Sequence, residues 1–121
     1  MDIRTEYSRK HYSYFSRSRF LQYVGVAVRN NKTGNVCNGH HAIGDTIACF
    51  NGGLLHSCVG TDGKPKPAIE QGDGHLEWWD NGRLHRFGGP AVIAEYGAWE
   101  EFWVHGELIM IHSYGEEYAA S

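Results

Sequence analysis

A chain of 121 residues, 41% hydrophobic and 21% charged, has an ordinary globular composition, with material for one modest core and little room for a second fold. Its formal net charge of −3 hides a basic start and an acidic end. No apolar run reaches the ~18 residues of a membrane span, no leader-like segment opens the chain, and three cysteines cannot all pair internally, so the expectation is a reduced, cytoplasmic protein with no membrane partner.

Residues 1–19 mix Arg4, Arg9, Lys10, Arg17 and Arg19 with Tyr7, Tyr12, Tyr14 and Phe15, and hold no helical or strand period. They are expected to form a basic-aromatic N-terminal arm of a single β-rich domain spanning 1–121. Cations beside aromatic rings can neutralise phosphates and stack bases, so Arg9, Lys10, Arg17 and Arg19 are the candidate nucleic-acid contacts. The first expected strand is Phe20–Arg29, with Gly25 marking a bulge or a close approach. Asn30–Gly34 reads as a turn, Asn35–Cys37 as a return strand and His40–Asp45 as a loop or brief extended run.

Three hairpin phrases follow, Ile47–His56, Leu76–His85 and Trp99–Ile109. An offset of 29 places Cys49 on Trp78, Phe50 on Trp79, Gly53 on Gly82 and His56 on His85; a further step of 24 places Gly106 on Gly82. A strand run, a Gly-containing turn and a second short run together spell a tight hairpin. The segments between are turn-rich, with Val59–Pro67 the expected exposed loop, and Glu107–Tyr114 is the final expected strand. The expected fold is mainly β, a compact antiparallel sheet built from degenerate hairpin repeats.

The stretches Asn81–Ile93 and Gly97–Ile109 resemble short tandem hairpin repeats of uncharacterised bacterial and phage proteins, distantly similar to membrane-occupation-and-recognition-nexus repeats. The resemblance covers residues 76–109, with a weakened copy from about residue 47. It implies a repeat-built sheet and a binding role, and it carries over no catalytic residue.

Adjacent strand residues point to opposite faces, so Trp78 and Trp79 should divide between core and surface, as should Phe102 and Trp103. One large exposed ring from each pair would suit a partner surface. Candidate partner-binding residues are therefore Trp78, Trp79, His85, Arg86 and Trp103, with Arg86 also within reach of a local ion pair to Glu77 or Asp80. Cys37, His40, His41, Cys49, His56 and Cys58 offer enough soft donors for zinc, but they lack a repeated Cys-x-x-Cys spacing. Sequence reasoning therefore expects no cofactor, with zinc as the lesser alternative. A Cys/His nucleophile pairing Cys58 with His56 and a distant Asp is a further alternative, in which replacing His56, Cys58 or His85 would abolish turnover.

The main expectation is non-enzymatic macromolecular recognition by an inhibitory or accessory protein, with another protein as partner and a homo-oligomer compatible with unpaired hairpin edges. RNA or single-stranded DNA binding and a small Cys/His-dependent hydrolase are the alternatives.

Overall fold

The computed structural model describes residues 20–24 and 27–114. The basic-aromatic arm, with Arg9, Lys10, Arg17 and Arg19, lies outside the described residues, as does Gly25.

Twelve short strands account for about half of the described chain. They are β1 Leu21–Val24, β2 Ala27–Asn30, β3 Gly39–Ile43, β4 Thr46–Asn51, β5 Leu54–Leu55, β6 Ile69–Gln71, β7 Leu76–Glu77, β8 Trp79–Asp80, β9 Arg83–Leu84, β10 Val92–Ala94, β11 Trp99–Val104 and β12 Glu107–Ser113. A 3-10 turn at Glu95–Gly97 precedes β11. The main sheet runs β12-β11-β10-β7-β6-β4-β3, with β5 paired to β4; β1-β2 and β8-β9 form separate two-stranded ribbons. All of these pairings are antiparallel, so the mainly β, antiparallel expectation holds.

Three reversals show why the chain folds back where it does. Gly52–Gly53, Asn81–Gly82 and His105–Gly106 each place both central residues at positive φ, the φ signature of a type I′ turn whose twist matches the strands it joins. The amides of these turns also reach beyond their own hairpins. Gly53 donates to the Cys37 carbonyl at 2.8 Å, Gly82 to Leu55 at 2.8 Å and Gly106 to Leu84 at 2.8 Å. Each turn is thereby fastened to the segment that precedes it in the chain, satisfying an amide that burial would otherwise orphan.

Side-chain alternation then sets the core. Ala48 and Phe50 of β4, Leu55, Ile69, Trp79, Leu84, Val92 and Trp103 share one buried cluster with Val28 and Cys37. Three tryptophans in this region are held by buried or half-buried carboxylates. The indole of Trp79 donates to Glu77 at 2.7 Å, and those of Trp99 and Trp103 donate to the two oxygens of Glu101 at 2.9 and 2.8 Å. Satisfying the indole N–H lets such large rings be buried without an unmet donor.

One expectation about local structure is corrected: Phe20–Arg29 is not one strand, because β1 folds onto β2 with Val24 opposite Ala27. Of the two readings of His40–Asp45, the brief extended run is the one realised, in edge strand β3, whose alternating half-buried and exposed side chains carry no strong hydrophobic pattern.

A substitution test follows from the turn geometry. A Cβ at Gly53 would lie 2.7 Å from the Ala27 Cβ and 3.0 Å from the Val28 carbonyl oxygen, whereas at Gly52 it would meet nothing within 4 Å. Both positions have positive φ, which costs a non-glycine residue about 1–2 kcal/mol. Gly53→Ala should add an overpacking cost of roughly 1–3 kcal/mol to that. Urea denaturation should therefore rank Gly53→Ala well below Gly52→Ala; equal losses would refute the close approach.

Candidate functional site

The antiparallel register of β3 and β4 sets His40 directly opposite Cys49. Because Ala48 and Phe50 enter the core cluster, Cys49 points to the other face of β4, where His40 also lies. The chain then turns through β5 and returns alongside. His56 donates its amide to the Cys49 carbonyl at 3.0 Å, Ser57 donates to the Trp79 carbonyl at 2.7 Å, and the Ser57 hydroxyl oxygen accepts from the Trp79 amide at 3.0 Å. Pinned on both sides, this segment brings Cys58 against Cys49.

The result is a three-residue cluster in which one donor atom each from His40, Cys49 and Cys58 lies within 4.8 Å of the others. Cys49 is fully buried, Cys58 half-buried and His40 exposed. Cys49 and Cys58 are joined as a disulfide with a Cα separation of 6.4 Å, inside the usual range for such a bridge. The sulfurs therefore have two exclusive uses. Oxidised, they close a covalent staple; reduced and deprotonated, they are two of the three donors of a Cys₂His set, which takes zinc-class ions and leaves a fourth position open. Loading would require reduction of the bridge, after which Cys49 and Cys58 would each offer a thiolate beside the His40 imidazole.

This cluster overturns two expectations. The expectation of no cofactor is corrected, because soft donors from positions 40, 49 and 58 converge. The expectation of a purely non-enzymatic recognition protein is corrected for the same reason, since such a set has catalytic capacity. Spacing concealed the site: strand register brings His40 to Cys49, and a loop return brings Cys58 to both.

The other sulfur and imidazole candidates are committed elsewhere. Cys37 is buried in the core cluster, and that burial pushes its thiol pKa up, keeping it protonated. His41 pairs across to the core residue Ala48, packs edge-on to Phe50 and hydrogen-bonds the Asn38 carbonyl at 3.2 Å. His56 accepts the Asn81 amide on Nδ1 at 3.2 Å, and the same nitrogen lies 3.5 Å from Asp80. His85 accepts the His105 amide on Nδ1 at 2.9 Å and stacks on the His105 ring at 4.3 Å. The trio of His56, Cys58 and His85 is thus not a nucleophile with its base: both imidazoles brace turns, and Cys58 is bonded to Cys49.

The residues expected to bind a partner lie mostly under cover. Trp78 is 6% exposed, Trp79 1% and Trp103 9%, so the chain presents none of them as an aromatic platform. Trp79 and Trp103 enter the core, as alternation requires for one member of each pair. Trp78 is absent from that cluster, yet it is roofed by the Arg86 guanidinium 3.8 Å from its ring centroid, and its indole N–H reaches the Pro65 carbonyl at 3.3 Å. Arg86 also donates to the Pro90 carbonyl at 3.0 Å. It forms no ion pair with Glu77 or Asp80, contrary to the sequence expectation; Glu77 is taken up by Trp79 and by His75 at 2.6 Å. Burial draws the Arg86 pKa below its ordinary value without discharging so strong a base. Glu77 and Glu101 both accept from indole N–H groups.

No helix among the described residues is long and apolar enough to cross a membrane. No family model matches the chain, and neither a curated protein nor a solved structure matches it. The comparisons therefore add nothing to the resemblance to tandem hairpin repeats.

The histidine pair yields a pH prediction. Burial first, and then the neighbouring His105, hold the His85 pKa below the ordinary imidazole value of about 6.5. An unfolded chain therefore takes up this proton more readily than the fold, so the His85 contribution to stability is complete above that value and is lost as pH falls through the depressed pKa. His105→Asn keeps the backbone amide and a side chain tolerant of positive φ. NMR titration should show the His85 pKa rising in this variant, and an unchanged value would remove His105 as a cause.

Proposed function

We propose that the reduced protein binds a zinc-class metal ion through His40, Cys49 and Cys58, and that the open fourth position makes this a hydrolytic centre. The observation that carries this reading is the convergence of the three donor atoms within 4.8 Å on one side of β4. Two thiolates and one imidazole form a donor set used at catalytic zinc, where the remaining site holds water. His40 is exposed, so the fourth position opens toward solvent and a substrate can approach it.

The chemistry supplied at such a centre is activation of water and polarisation of an acyl or phosphoryl oxygen. Water adds across the scissile bond, one product taking the hydroxyl and the other the proton. Two thiolates cancel the charge of a divalent ion, so bound water is acidified less here than at a three-imidazole centre. Loading also has a redox condition. A dithiol reductant must first supply two electrons and two protons to the Cys49–Cys58 disulfide, itself becoming oxidised, and metal binding then displaces the thiol protons. A small-molecule disulfide, itself reduced to two thiols, would reverse this by re-forming the Cys49–Cys58 bridge, and the ion would be released.

The sheet's construction from degenerate hairpin copies belongs to the same proposal. It is supported by the three turns with paired positive φ and by the use of Nδ1 of both His56 and His85 to accept a turn amide. Within that scheme Cys49 and Trp78 hold corresponding seats, one given to sulfur chemistry and the other to an aromatic floor.

Reduced protein dialysed against Zn²⁺ should retain about one equivalent, and Co²⁺ should give thiolate charge-transfer absorption. His40→Ala should weaken binding at least about tenfold, and Cys58→Ser should abolish the thiolate band. Metal-loaded protein should hydrolyse p-nitrophenyl acetate faster than the metal-free form, with the gain lost in His40→Ala. No retained metal after reduction would overturn the site. Retained metal with equal hydrolysis rates would overturn the hydrolytic role alone.

A further inference from the structure

A second site flanks the 56–59 segment, where a cleft of about 730 Å³ is bounded by Lys64 and Pro65, by Trp78, and by His85–Phe87. Its volume falls in the range of small-molecule sites, about 300–1,000 Å³.

Its chemistry is uneven in a way that selects a ligand. Arg86 and Lys64 both line the cleft, and neither has a carboxylate partner among the described residues. The cleft's acidic side chain, Asp80, is set 3.5 Å from His56. Arg86 is held in place without being neutralised. Its guanidinium lies over the Trp78 ring and one nitrogen donates to the Pro90 carbonyl, leaving further N–H groups of the planar fork uncommitted. Gly89 makes this placement possible, since a Cβ there would stand 2.9 Å from the Arg86 Cζ. A preoriented, half-buried guanidinium with neutral partners is suited to an incoming oxyanion, which can accept two parallel N–H bonds.

The apolar part of the cleft is aromatic. Phe87 is 71% exposed at its rim and stands edge-on to His85 with centroids 4.5 Å apart, while His85 is braced from behind by His105. Pro65 lines the cleft beside Lys64. A flat ring seated against Phe87 and Pro65 would carry its charged substituent toward Arg86 and Lys64.

We infer that this cleft binds a small organic oxyanion, an aryl carboxylate or aryl phosphate, with the anionic group on Arg86 and Lys64 and the ring against Phe87. The inference is independent of the metal centre, because it needs neither sulfur nor reduction.

The test uses the full chain in its oxidised, metal-free form, titrated by calorimetry and followed by NMR. The probes are 1-naphthyl phosphate, 1-naphthoate, uncharged 1-naphthalenemethanol, inorganic phosphate and an octathymidylate. One or both charged naphthyl probes should bind at one site, at least tenfold more tightly than naphthalenemethanol or phosphate alone. Arg86→Gln and Lys64→Gln should each weaken that binding about tenfold, and Gly89→Ala should weaken it by displacing the guanidinium. Lys64 is exposed on a loop, so Lys64→Gln serves as the test even if a change at Arg86 harms folding. Equal affinity for charged and uncharged naphthyl probes would overturn the inference. So would unchanged binding in the folded Lys64→Gln variant, or binding of the octathymidylate with none of the naphthyl anions.

Discussion

A type I′ turn reverses a strand within two residues only if both take positive φ, and much else in this molecule depends on meeting that demand at Gly52–Gly53, Asn81–Gly82 and His105–Gly106. Such turns keep the paired strands in register and direct an amide outward to the Cys37, Leu55 or Leu84 carbonyl. The hairpins are thereby tied to earlier parts of the chain by bonds that survive only if the turns keep their shape. At Gly53 the constraint is doubled, because the turn also packs against Ala27 and Val28. His105 meets the same demand without being glycine, and its amide goes to His85. The strain of that conformation is thus spent on a contact that orients a second imidazole.

The two faces of the sheet have separate roles. Alanine, phenylalanine, leucine, isoleucine and two tryptophans fill one, with carboxylates placed to meet the indole N–H groups. Opposite them, Cys49 and Trp78 are covered by the segments that leave β5 and β9. Around Cys49 the cover brings a second sulfur, and a histidine stands across the strand pair. Around Trp78 the cover brings a cation and a phenylalanine rim. In the proposed reading one site responds to redox state and metal, while the other is shaped by charge and aromatic surface.

Much of the local structure was legible in the residues. Asn81-Gly82 between a tryptophan pair and Arg83-Leu84 could hardly be other than a turn, and the strand at Glu107–Ser113 follows from its apolar and β-branched content. The edge strand β3 was legible only as one of two readings, because half-exposed histidines give no alternating apolar signal. Nor was the fold-back of β1 on β2, where strand formers continue on both sides of the reversal. The rule of alternation correctly divided Trp78 from Trp79 but could not say that a loop and Arg86 would roof the outward ring.

By itself the sequence determined that the chain would be built of short antiparallel strands closed by glycine turns, since turn chemistry and strand propensity are local properties. It also supplied the donors, three cysteines and eight histidines, without choosing among them. That choice belonged to tertiary structure. Whether a cysteine is a ligand, a staple or a core side chain depends on which face of which strand it occupies and what returns to cover it, and both are set by register between segments distant in the chain. Cys37 went to the core, while Cys49 and Cys58 met beside His40, because the pairing of β3 with β4 and the return of residues 56–58 put them there.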